Sequence, residues 1–462
     1  MVGVLIAVVI VAVMIYMLIK GYQPQFVLFG GGLLLMFIAI AMGVGPEVIL
    51  PKNIKATGWF GFDPFESIRA LMSNRAATLG LIIMSAGGFA YYMNAIGASR
   101  AMVDVVIQPL RLIKSPYIVL GGAFLVGQIL KMFIPSASGL GMLLMVTVFP
   151  ILRRLGLGPL SATAAVACTG GIDFGPADSQ AIRASEVAQM DPMEYFVTVM
   201  PVVLISVAVT MTICVLWNLF LDKKAGITIE QGLKEAANLE VEDSNESKAP
   251  VFYAILPAVP LILLVVFSKY VVTSVSLSVV PAMFVSVFIA VICEIIRKKG
   301  DAKTVSKDMM SFFQGMGVQF TNVVSLVVAG EVFAQGLVAI GAVNTMITAV
   351  QNSGLSSMSM VLIMTVFIIV IAVIMGSGNA AFFSFAGMVP EMSKGMGMSS
   401  LAMIMPLQFT SGIARMMSPI SGAMIAESGI AGISPFDLVK RTFVPMLAGA
   451  IASTVVSIAI TL

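Results

Sequence analysis

Histidine is absent from all 462 residues. That removes a Ser-His nucleophile pair, an HExxH zinc site and any imidazole proton relay. Cysteine is scarce: Cys168, Cys214 and Cys293 are odd in number, isolated and set in apolar segments, so they read neither as a disulfide framework nor as a metal site. Charge is thin as well. Only 11% of residues are charged and 59% are apolar, with a mean hydropathy of +1.04, whereas a soluble domain carries about 25% charged residues. No nucleic-acid partner is expected of such a chain; its partner is the lipid bilayer.

What is present is a series of apolar runs. A helix needs about 20 apolar residues to cross roughly 30 Å of hydrocarbon. Runs of that kind lie near residues 2–19, 26–43, 76–97, 116–134, 158–182, 193–221, 251–273, 275–296, 321–341, 357–375, 399–427 and 442–462. Open sheets would leave edge backbone groups unsatisfied in lipid, so the expected fold is an all-α polytopic membrane protein. The first run lacks a positive n-region and a small-x-small cleavage site before Lys20, so it is expected to be retained.

Basic residues give the orientation. With both termini outside and the helices alternating, 17 of the 26 Lys and Arg residues fall inside, among them Lys20, Arg153, Arg154, Lys223, Lys248, Arg297, Lys298 and Arg441. Lys52, Lys55, Arg69, Arg75, Lys269 and Lys394 fall outside, and Lys131, Arg183 and Arg415 stay within apolar segments. This works if two segments re-enter rather than cross. The one strongly hydrophilic stretch, 222–250, is then a cytoplasmic linker with a short surface helix around Ile229–Leu239.

The linker divides the chain into 1–221 and 251–462, and the two halves share an order of events. Plain spans are followed by a basic or amphipathic stretch, SRAMVDVVIQPLRLIK in the first half and TVSKDMMSFFQGMG in the second. In the latter, Thr304, Lys307, Asp308, Ser311 and Gln314 recur at helical spacing, the pattern of an interfacial helix. An apolar segment then ends in small residues: IPSASGLGM (134–142) and MGSGNAAFF (375–383). A second break lies within a span, at CTGGIDFGPADSQA (168–181) and TSGIARMMSPISGA (410–423). Two such halves, each crossing an odd number of times around an inside linker, face opposite ways: two inverted repeats, the transporter pattern.

Broken helices in lipid free carbonyls and amides, which are tolerated where they line a cavity. Helix N-termini there offer N–H groups to an anion, and carbonyls with an amide such as Asn379 offer ligands to a hard cation. Gly30, Gly31, Gly32, Gly87 and Gly88 are assigned instead to close helix packing.

The motifs PSASGLGMLL, GSGNAAFFSFAGMVP, the arginine in SGIARMMSPISG and the closing AGISPFDLVKRTFVPML resemble the anaerobic C4-dicarboxylate carriers of the DcuC family, over nearly the whole chain and most weakly in the linker. That family belongs to the ion transporter superfamily. The resemblance implies two inverted repeats, each with a re-entrant helical hairpin and an unwound helix beside it. It places the hairpin tips near 135–141 and 376–380, at Ser136, Ala137, Ser138 and Gly139 and at Ser377, Gly378 and Asn379. The unwound helices fall near 169–179 and 410–420. It further implies exchange or efflux of succinate, fumarate, malate or related dicarboxylates by an elevator-like movement in a bacterial cytoplasmic membrane, and a homodimer through the scaffold spans. The first tip has no asparagine and the Pro-Pro-Asn of the sodium symporters is missing, which weighs against a sodium site in the first half. Coupling stays open among sodium (near Asn379, Gly376 and Thr410), protons and counter-substrate, and no other cofactor is expected.

Charges inside apolar segments are functional candidates. Arg415 can hold a carboxylate with two parallel hydrogen bonds, with Ser418 and Pro419 following it; its bland role is a cap on broken-helix carbonyls. Asp173 and Asp178 flank Pro176 and read either as coupling groups or as internal pairs, for instance Asp178 with Arg183 or Glu186. Glu331 takes a buried hydrogen bond or couples protons. Lys131 is expected to snorkel rather than line the cavity, and Glu427 shares that ambiguity. A channel would need a continuous polar pore, and an intramembrane protease would need histidine or aspartates in Tyr-Asp and Gly-x-Gly-Asp settings. Neither is present. A sodium- or proton-coupled carrier of another anion, or a cation antiporter on the same scaffold, is the alternative to a dicarboxylate carrier.

Overall fold

The computed structural model describes residues 2–51, 54–237, 249–268, 271–272, 274–275, 277–352 and 356–461. Lys52, Lys248 and Lys269 and the linker residues 238–248 lie outside the described residues. Among those described there is no strand, and 8 helices are long and apolar enough to cross a membrane.

The first half runs α1 (Val2–Ile19), α2 (Pro24–Ala41), α3 (Asp63–Ala95), α4 (Ala98–Val106), α5 (Pro116–Lys131), α6 (Ala137–Thr147), α7 (Pro159–Thr169), α8 (Ser179–Val187) and α9 (Pro192–Lys224). A short helix α10 (Ile229–Ala237) opens the linker where a surface helix is expected. The second half runs α11 (Val259–Val266), α12 (Val279–Arg297), α13 (Ala302–Ala339), α14 (Ala342–Asn352), α15 (Ser357–Met375), α16 (Gly378–Ala386), α17 (Ser400–Arg415), α18 (Gly422–Ala431) and α19 (Pro435–Thr461). Prolines open α2, α5, α7, α9 and α19, at the turn whose N–H groups have no intrahelical partner anyway.

The order of elements recurs, but not as the amphipathic stretches were paired. Thr304 to Gln314 is no separate interfacial helix: it is the first part of α13, which continues unbroken through a π-helical turn at Phe320–Val324. Its counterpart in order is Asp63–Arg75 of α3, which passes through its own π turn at Ala76–Gly80. Each long helix ends just before a left-handed glycine, Gly97 (φ 78°) or Gly341 (φ 77°), and the stretch after Ser99 therefore matches α14. The polar residues of 304–314 continue the helical period of the apolar run that follows, and nothing between them breaks it. For the same reason Arg75 lies inside α3 rather than in an outside loop.

Small residues set the closest crossings. A Cβ on Gly88 of α3 would come within 2.6 Å of the Phe312 carbonyl of α13, and one on Gly32 of α2 within 2.7 Å of the Val332 backbone. Gly30 faces open space, so the packing role expected of it is not found. The long helices α9 and α19 pack together, fastened where Asp222 meets Arg441 at 2.7 Å and Ser161 of α7 at 2.6 Å.

Candidate substrate cavity

The nineteen uncharged residues of α15 end at Gly376, whose φ of 64° and contact with Ile420 (2.8 Å from a would-be Cβ to the carbonyl oxygen) only glycine accommodates. The chain turns there into α16. The first half turns at Pro135, between α5 and α6. These two tips, the breaks between α7 and α8 and between α17 and α18, and one face each of α3 and α13 enclose a cavity of about 420 Å³.

Four helix N-termini meet this cavity: Ala137 of α6, Ser179 of α8, Gly378 of α16 and Gly422 of α18. Each carries a partial positive charge of roughly +0.5 from unpaired amides. Ser136 caps α6 by accepting from the Gly139 amide (3.1 Å), Ser377 caps α16 through Ala380 (3.2 Å), and Asp178 caps α8 through Gln180 (2.9 Å) and Ala181 (3.1 Å). Ser421, at the corresponding place before α18, makes no side-chain cap bond, and its hydroxyl has no hydrogen-bond partner among the described residues.

Behind the cavity the end of α7 is neutralised by two cations. Lys131 Nζ donates to the Gly170 carbonyl (2.6 Å) and pairs with Asp173 Oδ1 (2.5 Å). Arg415 donates through Nε (3.2 Å) and Nη2 to the same carbonyl and pairs through Nη2 with Asp173 Oδ1 (2.8 Å). Asp173 Oδ2 is buried without a hydrogen-bond partner among the described residues. Arg415 thus caps broken-helix carbonyls and also borders the cavity, its side chain 12% exposed. A chain of amides ties the two halves together: Tyr195 donates to Gln408 Oε1 (2.9 Å), Gln408 Nε2 donates to the Asp173 carbonyl (2.5 Å), and the Gln180 carboxamide lies 2.8 Å from Asn379 Oδ1 and 3.0 Å from Ser411 Oγ.

Of the residues singled out from the sequence, Ser136, Ala137, Ser138, Asp178, Gly376, Ser377, Gly378, Asn379 and Arg415 line the cavity. The others lie off it. Ser418 donates to the Val373 carbonyl (2.7 Å), Thr410 donates back to Pro406 (2.7 Å), and Gly139, whose amide is taken by the Ser136 hydroxyl, and Pro419 are off the cavity wall. Of the sodium candidates, Asn379 and Gly376 line the cavity and Thr410 does not. Lys131 does not snorkel; its side chain is 1% exposed and held by Asp173, which it reaches only because α7 breaks beside α5. Asp178 pairs with neither Arg183 nor Glu186, since its carboxylate is taken up by the α8 amides.

Glu331 meets Arg183 (2.6 Å) and Arg75 (2.7 Å), and Glu186 meets Arg183 (2.6 Å) and Arg75, in a network joining α3, α8 and α13 that does not border the cavity. Two of the three cysteines come together: the thiols of Cys168 and Cys214 lie 3.9 Å apart. The sequence reading missed Tyr91, Gln319, Asn322 and Ser421 on the cavity wall. Only Ser421 had a local signal, its place just ahead of a glycine that starts a helix.

The family model described as the C4-dicarboxylate anaerobic carrier DcuC matches residues 2–462. A probable anaerobic C4-dicarboxylate transporter DcuC of Vibrio cholerae is 35% identical over 94% of this chain and 92% of its own length. The anaerobic C4-dicarboxylate transporter DcuC of Escherichia coli is 34% identical over 96% of this chain and 94% of its own. Among solved structures, the Alcanivorax borkumensis YdaH transporter superposes with a TM-score of 0.63 at 15% identity, covering 95% of this chain and 98% of that one. Neisseria gonorrhoeae MtrF superposes with a TM-score of 0.54 at 13% identity, covering 94% of each. These two bear on the fold alone. With a full-length family match and relatives of this similarity, the chain belongs to the C4-dicarboxylate anaerobic carrier family, DcuC, and is a multi-pass membrane transporter rather than an enzyme.

Proposed function

We propose that this protein exchanges or exports C4-dicarboxylates such as succinate, fumarate and malate, with the cavity between the two tips as its binding site. The observation that carries this is the meeting of four helix N-termini and Arg415 around one cavity of about 420 Å³. Each carboxylate of a small dianion can take amide N–H groups from one half while the other end is held by the opposite half. Arg415 leaves Nη1 without a protein partner among the described residues, so it can donate to one carboxylate while its other nitrogens hold Gly170 and Asp173. The names of the relatives support the same substrate class.

We further read the halves 1–221 and 251–462 as inverted repeats around a cytoplasmic linker, 222–250, with both termini outside a bacterial inner membrane and the protein a homodimer. Transport is then an elevator-type movement of the tips and broken helices against α2, α3, α12 and α13. The test is labelled succinate uptake into proteoliposomes, preloaded with fumarate or left empty, with and without a sodium gradient. Uptake that needs internal fumarate supports exchange. Uptake driven by sodium into empty vesicles makes it a symporter, and no uptake by folded protein overturns the substrate and favours the cation-antiporter alternative.

A further inference from the structure

One buried acid has no place in the binding scheme above. Glu427, on α18, is 1% exposed, and neither carboxyl oxygen has a hydrogen-bond partner among the described residues. It neither lines the cavity nor snorkels. Its position is nevertheless specific. Ala423, four residues earlier on the same helical face, lines the cavity, and helical side chains lean back toward the N-terminus. Across from it, Gly141 lies four residues after the cavity-lining Ala137 of α6, and a Cβ there would overlap the Glu427 carboxyl. The acid therefore occupies a slot that a glycine leaves open, one turn behind the cavity wall, between α6 and α18.

The surroundings offer little to an anion at contact range. α6 carries no ionisable side chain, and α7 carries only Cys168, whose thiol faces Cys214. On α19, Asp437 pairs with Lys440, and Arg441 pairs with Asp222. Lys131 and Arg415 are the charged groups whose fields reach Glu427, and both are already held by Asp173. An isolated ionised carboxylate buried in this way is far costlier than the neutral acid.

We propose that Glu427 is the proton-binding residue of this carrier. Its carboxyl holds a proton while enclosed between α6 and α18, and releases it to water in the cavity when the carrier's rearrangement opens the slot. The acid then becomes a carboxylate plus one hydrated proton, with Lys131 and Arg415 as the cations that stabilise the anion left behind. This rests on the carrier reading above, so the test has one arm independent of substrate.

The first arm is infrared spectroscopy of the purified full-length protein in lipid, wild type against Glu427→Gln, titrated from acid to alkaline pH. The expected result is a carbonyl band of a protonated, dehydrated carboxyl near neutral pH that is missing from Glu427→Gln and kept in Glu331→Gln. No such band in the wild type, or the same band in Glu427→Gln, overturns the proposal. Gly141→Ala keeps the acid but fills its slot, so it must shift the band; an unshifted band also overturns it. The second arm compares succinate uptake with and without a pH gradient. The gradient should stimulate wild-type uptake and lose that stimulation in Glu427→Gln, and stimulation that persists in the variant overturns the coupling role. If wild-type protein moves no succinate at all, the substrate reading fails while the infrared arm still decides the proton site.

Discussion

Two charge clusters each join the two halves of the chain, and they are built to different ends. Around Glu331 two carboxylates meet two guanidiniums, each acid touching both arginines. Around Asp173 one carboxylate serves two cations, and one of its oxygens stays unpaired. The balanced group has no charge left over and lies away from the cavity. The other, in which two cations share one carboxylate by direct contact, borders the cavity through Arg415 and stands beside four helix N-termini, with the Asp178 carboxylate also on the cavity wall. A cation with a donor left over at the cavity wall is what an anion site requires, whereas a network of mutually paired charges serves to hold helices together.

That contrast can be broken most forcefully at Asp173. Asp173→Asn leaves Lys131 and Arg415 buried without a carboxylate, so a loss of about 3–5 kcal/mol of stability is expected, as for other broken buried pairs. A large fall in the unfolding temperature in detergent would register it, and an unchanged one would mean that the cations find other partners. Glu331→Gln, which leaves Arg75 and Arg183 to share Glu186 alone, should destabilise by less, about 1.5–3 kcal/mol, yet leave succinate affinity within about twofold, because that network does not border the cavity. A change of tenfold or more in affinity would erase the distinction between the clusters.

Arg415→Lys sharpens the comparison from the other side. It keeps the charge but loses the fork, and one lost hydrogen bond to a charged group is worth about 1.5–3 kcal/mol, so succinate affinity should fall by tenfold or more while the protein still folds. Equilibrium binding to the purified variant decides this, and unchanged affinity would reduce Arg415 to a cap on Gly170. Smaller effects are expected at the tips. Ser377→Ala should cost about 1 kcal/mol through its lost cap, whereas Ser421→Ala, which removes no cap bond, should leave the unfolding temperature unchanged and act on substrate affinity alone.

The smallest effect lies outside the bilayer, at the start of α13. Hydrogen bonds from the Thr304 hydroxyl and amide hold the exposed Asp301 carboxyl below its ordinary value of 3.8. Its stabilising contribution is therefore present above that value and fades as the pH falls through the lowered one. The gap in stability between wild type and Asp301→Ala should close in acid, and thermal unfolding across that range measures it.

Much of this was written locally. The absence of histidine, the apolar runs and the glycine-hydroxyl breaks gave the membrane class, the two tips and the two broken helices, because helix length, glycine and N-cap side chains act over a few residues. The uninterrupted passage of α3 and α13 through their π turns was not legible: Gly80 lies within the first turn while Phe320–Val324 holds neither glycine nor proline, so no shared residue signal marks where the period shifts from 3.6 residues. Nor was the fate of the charges. Lys131, Asp173 and Arg415 are far apart in sequence, and so are Arg75, Arg183 and Glu331, so which cation meets which acid was settled only when the broken helices of the two halves packed together. The sequence alone determined that there would be a polar break in each half and an arginine beside one of them. Tertiary packing decided which of those charges cancel and which are left facing the cavity, because the cost of burying a charge depends on partners that only the fold brings within hydrogen-bond reach.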